Sequence, residues 1–133
     1  MSEYKNTPAP ADSSDVIAMV VEIVFGLFGI LGMGWLYAGN IPIAIGAFIG
    51  FAILVFIEAA IITATLGIAA CIIAPFNIVI VVVSGIKARD YVRTTGATGS
   101  VLYLVIGILV GAVIICGGIT LFFGGLAALT NSF

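Results

Sequence analysis

Apolar positions run almost without interruption through this 133-residue chain, and the polar ones fall mainly in three places. Residues 1–15, "MSEYKNTPAPADSSD", are polar. Residues 87–100, "KARDYVRTTGATGS", form the strongly polar internal segment, and a short "GNIP" turn parts the first apolar run from the second. The first run, residues 16–38, is long enough to cross a bilayer as one helix, which takes about 20 residues. The next, residues 41–86, is too long for one crossing, because a helix rises about 1.5 Å per residue against a hydrocarbon core about 30 Å thick. It must fold back, and "TATLG" at residues 63–67 marks the break. The alternative there is a re-entrant segment around Gly67 in place of two full crossings. The pattern predicts spans at 16–38, 42–65, 68–86 and 101–123. The expected fold is an all-α integral membrane protein of four transmembrane helices, packed as antiparallel hairpins through small residues.

The domain order expected from this pattern starts with a disordered polar tail over residues 1–15 and a three-span region over 16–86. A basic loop over 87–100 and a fourth span with a short tail over 101–133 complete it. The tail is net acidic, unlike the basic start of a secretory signal. Asp12, Ser13, Ser14 or Asp15 is placed to cap the first helix. Composition agrees with a membrane setting: 63% of residues are hydrophobic and 8% charged, where soluble domains carry about a quarter charged.

Charge location sets the expected orientation. Lys87, Arg89 and Arg93 lie together, whereas the tail holds only Lys5. The positive-inside rule puts loop 87–100 in the cytoplasm of a prokaryotic cell membrane. Four crossings then place the Gly39–Asn40 turn inside as well, with both termini and the Gly67 turn outside. Four bases cannot build a nucleic-acid footprint. Histidine is absent, which removes the usual general base and the commonest metal ligand. Cys71 and Cys116 have no zinc or redox spacing; a bridge between them and two reduced thiols are both open.

Glycines carry the packing expectation. Gly26, Gly29 and Gly32 recur every three residues, and Gly46 with Gly50 and Gly107 with Gly111 are small-xxx-small pairs. In lipid, small residues let helix backbones approach closely. The ladders therefore serve either packing among the spans or contact with a second copy or another membrane subunit. Trp35 and Tyr37 end the first span, where aromatic rings favour the headgroup layer. Gly39 and Asn40 are turn residues, and Pro42 suits the first turn of the next helix. Together they predict a tight hairpin with an aromatic elbow, and an aromatic belt explains Trp35 and Tyr37 without a binding role.

The stretch "GLFGILGMGWLYAGNIPIAIGAFIG" resembles the TM-two domain family of glycine-rich transmembrane hairpins. The residues that carry the resemblance are Gly26, Gly29, Gly32, Trp35, Leu36, Tyr37, Gly39 and Gly46. It covers the first half of the chain and implies a hairpin over residues 16–66. Many family members carry a charged and aromatic triplet before the turn; Gly34, Trp35 and Leu36 stand there in this chain, with neither acid nor base.

Glu22 and Glu58 are the intramembrane charges, and such groups mark functional sites by default. Each lies eighteen residues from Asn40, so straight antiparallel helices would set them at one height. Glu22, Gly26 and Gly29 share one helix face; Ala47, Phe51, Leu54 and Glu58 share another. Facing carboxyls would share a proton or hold a cation. The plainer alternative has Glu22 reaching water near an interface and Glu58 neutral, bonded to Thr63, Asn77 or backbone. Asn77 follows Pro75, whose ring removes a helix hydrogen bond, so the amide is expected to mend that defect or bond to a neighbouring span.

No catalytic constellation, phosphate loop, cofactor site, metal cluster or small-molecule substrate site can be assembled. Two functions stand. One is a non-enzymatic accessory, scaffold or assembly subunit embedded in the lipid bilayer, alone or as a homo-oligomer. The other is a small proton- or cation-conducting protein using Glu22 and Glu58.

Overall fold

A computed structural model describes residues 13–130. The expected tail lies outside these residues except for 13–15, as do residues 131–133. The described chain is helical throughout, in the order α1 (Ser14–Leu27), α2 (Met33–Tyr37), α3 (Ile41–Ala64), α4 (Ala70–Thr95) and α5 (Val101–Thr130). Three helices are long and apolar enough to cross a membrane: Ile41–Ala64, Ala70–Thr95 and, within α5, Val101–Gly125. These make a membrane-embedded protein.

The expected first span over 16–38 is not one helix. Helix α1 has 14 residues, about 21 Å at 1.5 Å per residue, short of the hydrocarbon core. Its end is a Schellman motif: the Gly29 N–H donates to the Gly26 carbonyl and the Ile30 N–H to the Phe25 carbonyl. Gly29 takes φ +88°, a left-handed value that glycine adopts without penalty. Four residues later the chain restarts as α2, with Gly32 at its N-cap and φ +104°. So Gly29 and Gly32 are not rungs of a helical ladder; they stop one helix and start another. The same motif closes α2, where Gly39 donates to Leu36 and Asn40 to Trp35.

Contacts between ends reveal the path. Asp15, at the start of α1, pairs with Arg89 and Arg93 near the end of α4. At the far end of α2, the Tyr37 carbonyl accepts the Ser100 N–H, while the Gly99 N–H reaches the Ser14 hydroxyl. The chain enters at one end as α1, turns at residues 28–32, and returns to that end through α2. It then crosses as α3, turns at 65–69, comes back as α4 and leaves as α5. Residues 14–37 thus form a helical hairpin whose two ends lie together beside the end of α4. The expected first of four spans is therefore not formed, and the start of α1 lies beside the basic end of α4 instead of at the opposite end of the molecule.

Segment 87–100, expected as a loop, is helical as far as Thr95. Ala88 is buried with Trp35 and Ala44 and Val92 with Ala18 of α1, while Arg89 and Arg93, four apart, meet Asp15. Those contacts extend α4 by two turns. Gly96 then ends it with φ +64°. The break at 65–69 falls within the stretch that "TATLG" marks.

The core gathers on α2. Trp35 packs with Ala44 of α3 and Ala88 of α4, while Tyr37 and Ala38 pack with Ala18 and Val92. Beneath the turn, Leu31 joins Phe51 and Val81, with Leu54 and Ile80 alongside. Helix α1 lies against α4 through small residues at four-residue spacing. A Cβ on Gly26 would stand 2.6 Å from Val81 Cγ1, and one on Gly85 would stand 2.7 Å from Ile23 Cγ1. Helix α5 is held mainly by α2: Gly107 receives the Leu36 and Met33 side chains.

Candidate functional site

Glu22 stands at the centre of the α1–α2 hairpin and is 0% exposed. It lies on a stripe of α1 with Ser14, Ala18 and Gly26, all buried. The break at 28–32 brings the first amides of α2 onto its carboxylate. The Gly32 N–H donates to Oε1 at 3.0 Å and Oε2 at 3.1 Å, and the Gly34 N–H donates to Oε2 at 2.7 Å. From α4, the Ser84 hydroxyl donates to Oε1 at 2.6 Å and accepts from Trp35 Nε1 at 3.2 Å. One acid thus ties α1, α2 and α4 together. Helix starts leave unpaired N–H groups that must be satisfied in an apolar medium. Here a side chain ten residues upstream supplies the acceptor.

Close approach makes this cap possible. A Cβ on Gly34 would overlap the Ala18 carbonyl oxygen and stand 2.6 Å from Glu22 Cβ, so only glycine lets α2 reach α1. A Cβ on Gly32 would overlap the Ala44 carbonyl oxygen of α3. The Trp35 ring, 5.6 Å from that of Tyr91, is fixed by packing and by its hydrogen bond to Ser84. The elbow residues are therefore interior: Trp35 and Tyr37 are both buried. Asn40 caps α3 by accepting the Ile43 N–H at 3.3 Å, with Pro42 in the first turn.

Glu58 has a separate partner. It is 7% exposed, and Asn77 Nδ2 donates to its Oε2 at 2.6 Å. Asn77 Oδ1 is buried without a hydrogen bond. This bond joins the halves of α3 and α4 that flank the turn at 65–69. No hydrogen bond connects Glu58 with Glu22, and the expected meeting of the two acids does not form. The reason is the turn at 28–32, which keeps α1 from running the length of α3. Glu22 sits eight residues into α1, about 12 Å from the basic end, and Glu58 seventeen into α3, about 26 Å from it. Asn77 bonds to a neighbouring helix, one of the two roles expected for it.

At the basic end, Asp15 Oδ2 accepts from Arg93 Nε at 2.7 Å and from Arg89 Nε at 3.3 Å. The Arg93 hydrogen bond, with help from Arg89, holds the Asp15 carboxyl below its usual range. Of the orientation-setting bases, Lys87 has no carboxylate within ion-pair distance among the described residues.

The remaining expected positions divide. Gly26 and Gly107 lie in close helix contacts, whereas a Cβ on Gly46, Gly50 or Gly111 would meet nothing. Cys71 and Cys116 are free and exposed, so the bridge is not formed. Among the described residues no group of three or more metal-ligating side chains gathers. Sequence reasoning passed over Ser84 and the role of Gly34. A signal existed in α4, where Val81, Gly85, Ala88 and Val92 form a small-residue face and Ser84 adjoins it.

Chemically, the Glu22 site is saturated. Its two oxygens receive donors from two backbone amides and a hydroxyl, which leaves it suited to holding a fold rather than to taking a substrate. Two apolar openings flank it. One, of about 310 Å³, lies between α3 and α5 beside Leu31 and Met33. The other, of about 550 Å³, lies between α3 and α4 with Trp35 and Ser84 at its base. No protein-family model, curated protein or solved structure matches this chain.

Proposed function

We propose that this chain is a non-enzymatic, multi-pass membrane subunit that works by packing against other helices, as an accessory, scaffold or assembly component. Three crossings and one re-entrant hairpin form its body. The observation that carries this reading is the contrast between its two flanks. Helix α1 is fixed along one face by Ser14, Ala18, Glu22 and Gly26, and α2 by the bonds from Glu22, while α5 is held mainly at its first half. From Val113 to Leu121 its large apolar side chains are exposed, and Gly111 beside them faces open space. In lipid, bare helices with small residues associate through close backbone approach. The partner is a second copy or another membrane subunit.

Orientation belongs to the same proposal. The end that carries Lys87, Arg89 and Arg93 faces the cytoplasm of a prokaryotic cell by the positive-inside rule, and the start of α1 faces it too. Conduction through a Glu22–Glu58 pair loses its basis, since each acid is bonded elsewhere.

Crosslinking tests the reading. With Cys71 and Cys116 replaced by serine, Gly111→Cys in native membranes should give one discrete crosslinked species, either a dimer or a complex with a single co-purifying subunit. Monomer alone, with nothing retained through mild-detergent purification, contradicts it.

A further inference from the structure

The cleft between α3 and α4 is open where two full-length helices would be expected to close. Trp35 of α2 packs between Ala44 of α3 and Ala88 of α4, and beyond it the space is free: a Cβ built on Gly46 would meet nothing within 4 Å. Ile43 and Ala47 form one wall, with Val79 and Val83 opposite, all apolar. Trp35 and Ser84 lie at the base, but their polar atoms are spent on each other and on Glu22. Lys87 stands at the mouth, on the end of the molecule that also carries Arg89 and Arg93. Those two arginines are engaged by Asp15; Lys87 has no carboxylate partner among the described residues.

We propose that this cleft binds one anionic phospholipid, with its phosphate on Lys87 and an acyl chain lying past Gly46 along the α3–α4 walls. Charge and depth favour that occupant. The cleft needs a ligand that is apolar along its length and negative at one end, with the negative end at the level of a helix terminus. A lysine ammonium on a long apolar stem reaches the headgroup layer readily. A juxtamembrane base contributes attraction to an anionic lipid surface that amounts to about fivefold in binding. A helix from a second copy would have to bring its own anion to the mouth; Asp15, Glu22 and Glu58 are engaged within the chain, which leaves Asp90, exposed on α4, as the described carboxylate able to do so.

The test places the full chain in phosphatidylcholine nanodiscs with spin-labelled phosphatidylglycerol or spin-labelled phosphatidylcholine. The ratio of their immobilised fractions reads the anionic preference. Wild type should prefer phosphatidylglycerol by about fivefold. Lys87→Gln should bring the ratio to parity. Gly46→Leu should do the same by filling the cleft, and because space is open at Gly46, this variant folds; an unchanged Trp35 emission verifies that. Parity in wild type overturns the proposal, as does a wild-type ratio in either variant. If Gly46→Leu dissolves a wild-type dimer while the ratio stays unchanged, the cleft belongs to a second copy and the lipid assignment fails.

Discussion

Removing the Glu22 carboxylate should unfasten the α1–α2 hairpin before anything else in the protein. In Glu22→Ala the Gly32 and Gly34 amides, which cannot turn away, lose their acceptor in a site with no exposure. Each stranded backbone donor costs about 1–3 kcal/mol. The Ser84 hydroxyl can rotate, so it adds less, and the expected loss is about 2–6 kcal/mol. Glu22→Gln keeps one carbonyl oxygen for the Gly34 and Gly32 amides but gives up the charge-assisted strength of those bonds. Its loss should be smaller, about 1–2 kcal/mol. Trp35 is the sole tryptophan and bonds to Ser84 in this network, so its fluorescence reports the site directly. Reversible unfolding in mixed micelles, followed by Trp35 emission, gives both values. Wild-type unfolding midpoints for both variants would refute the claim that Glu22 holds the α1–α2 break.

Four further outcomes follow from the same geometry. Gly34→Ala should cost about 3 kcal/mol or more, since its Cβ would overlap the Ala18 carbonyl oxygen, whereas Gly50→Ala should stay within about 1 kcal/mol of wild type; the same unfolding assay compares them. A double-mutant cycle on Glu58→Ala and Asn77→Ala should give a coupling of about 0.6–1.7 kcal/mol, the range for hydrogen bonds between membrane helices, and zero coupling would dismiss the pair. Glu58→Gln should keep stability near wild type, because an amide still accepts from Asn77 Nδ2. Asp15 has a lowered folded pKa, so its contribution is complete above the ordinary carboxylate value of about 3.9 and fades as pH falls through the lower folded value. Unfolding midpoints across pH should therefore show wild type converging on Asp15→Asn in strong acid, and a constant gap would dismiss the Arg89 and Arg93 pairing.

Much of this architecture is legible in the sequence because lipid leaves few choices. Long apolar runs fix helices α3, α4 and α5, and residues 63–67 announce their turn through hydroxyl residues and glycine. What the pattern conceals is the break at 28–32. Apolar periodicity continues unchanged through Phe28, Ile30 and Leu31, so hydropathy alone joins α1 to α2. Gly29 and Gly32 read equally as packing residues in a membrane helix and as left-handed stops, and only the position of an acceptor decides between them. That acceptor is Glu22, whose partners come from residues 10, 12 and 62 positions away. The polar segment misleads in the opposite direction. Lys87, Arg89 and Arg93 look like a loop, yet Ala88 packs on Trp35 and Val92 on Ala18, and these contacts keep the helix going. For the acids, equal spacing from Asn40 suggested equal depth, which holds only when both arms cross fully.

Residues 14–37 either dip into the membrane and come back on the same side or cross it once. Single cysteines decide it, introduced as Ser13→Cys, Asn40→Cys, Leu66→Cys and Thr95→Cys in a background with Cys71 and Cys116 replaced by serine. A membrane-impermeant maleimide is then applied to sealed vesicles of known orientation. A re-entrant hairpin requires positions 13, 40 and 95 to label from one side and position 66 from the other. Labelling of position 13 from the side opposite to 40 and 95 would make the first segment a full crossing and contradict the account.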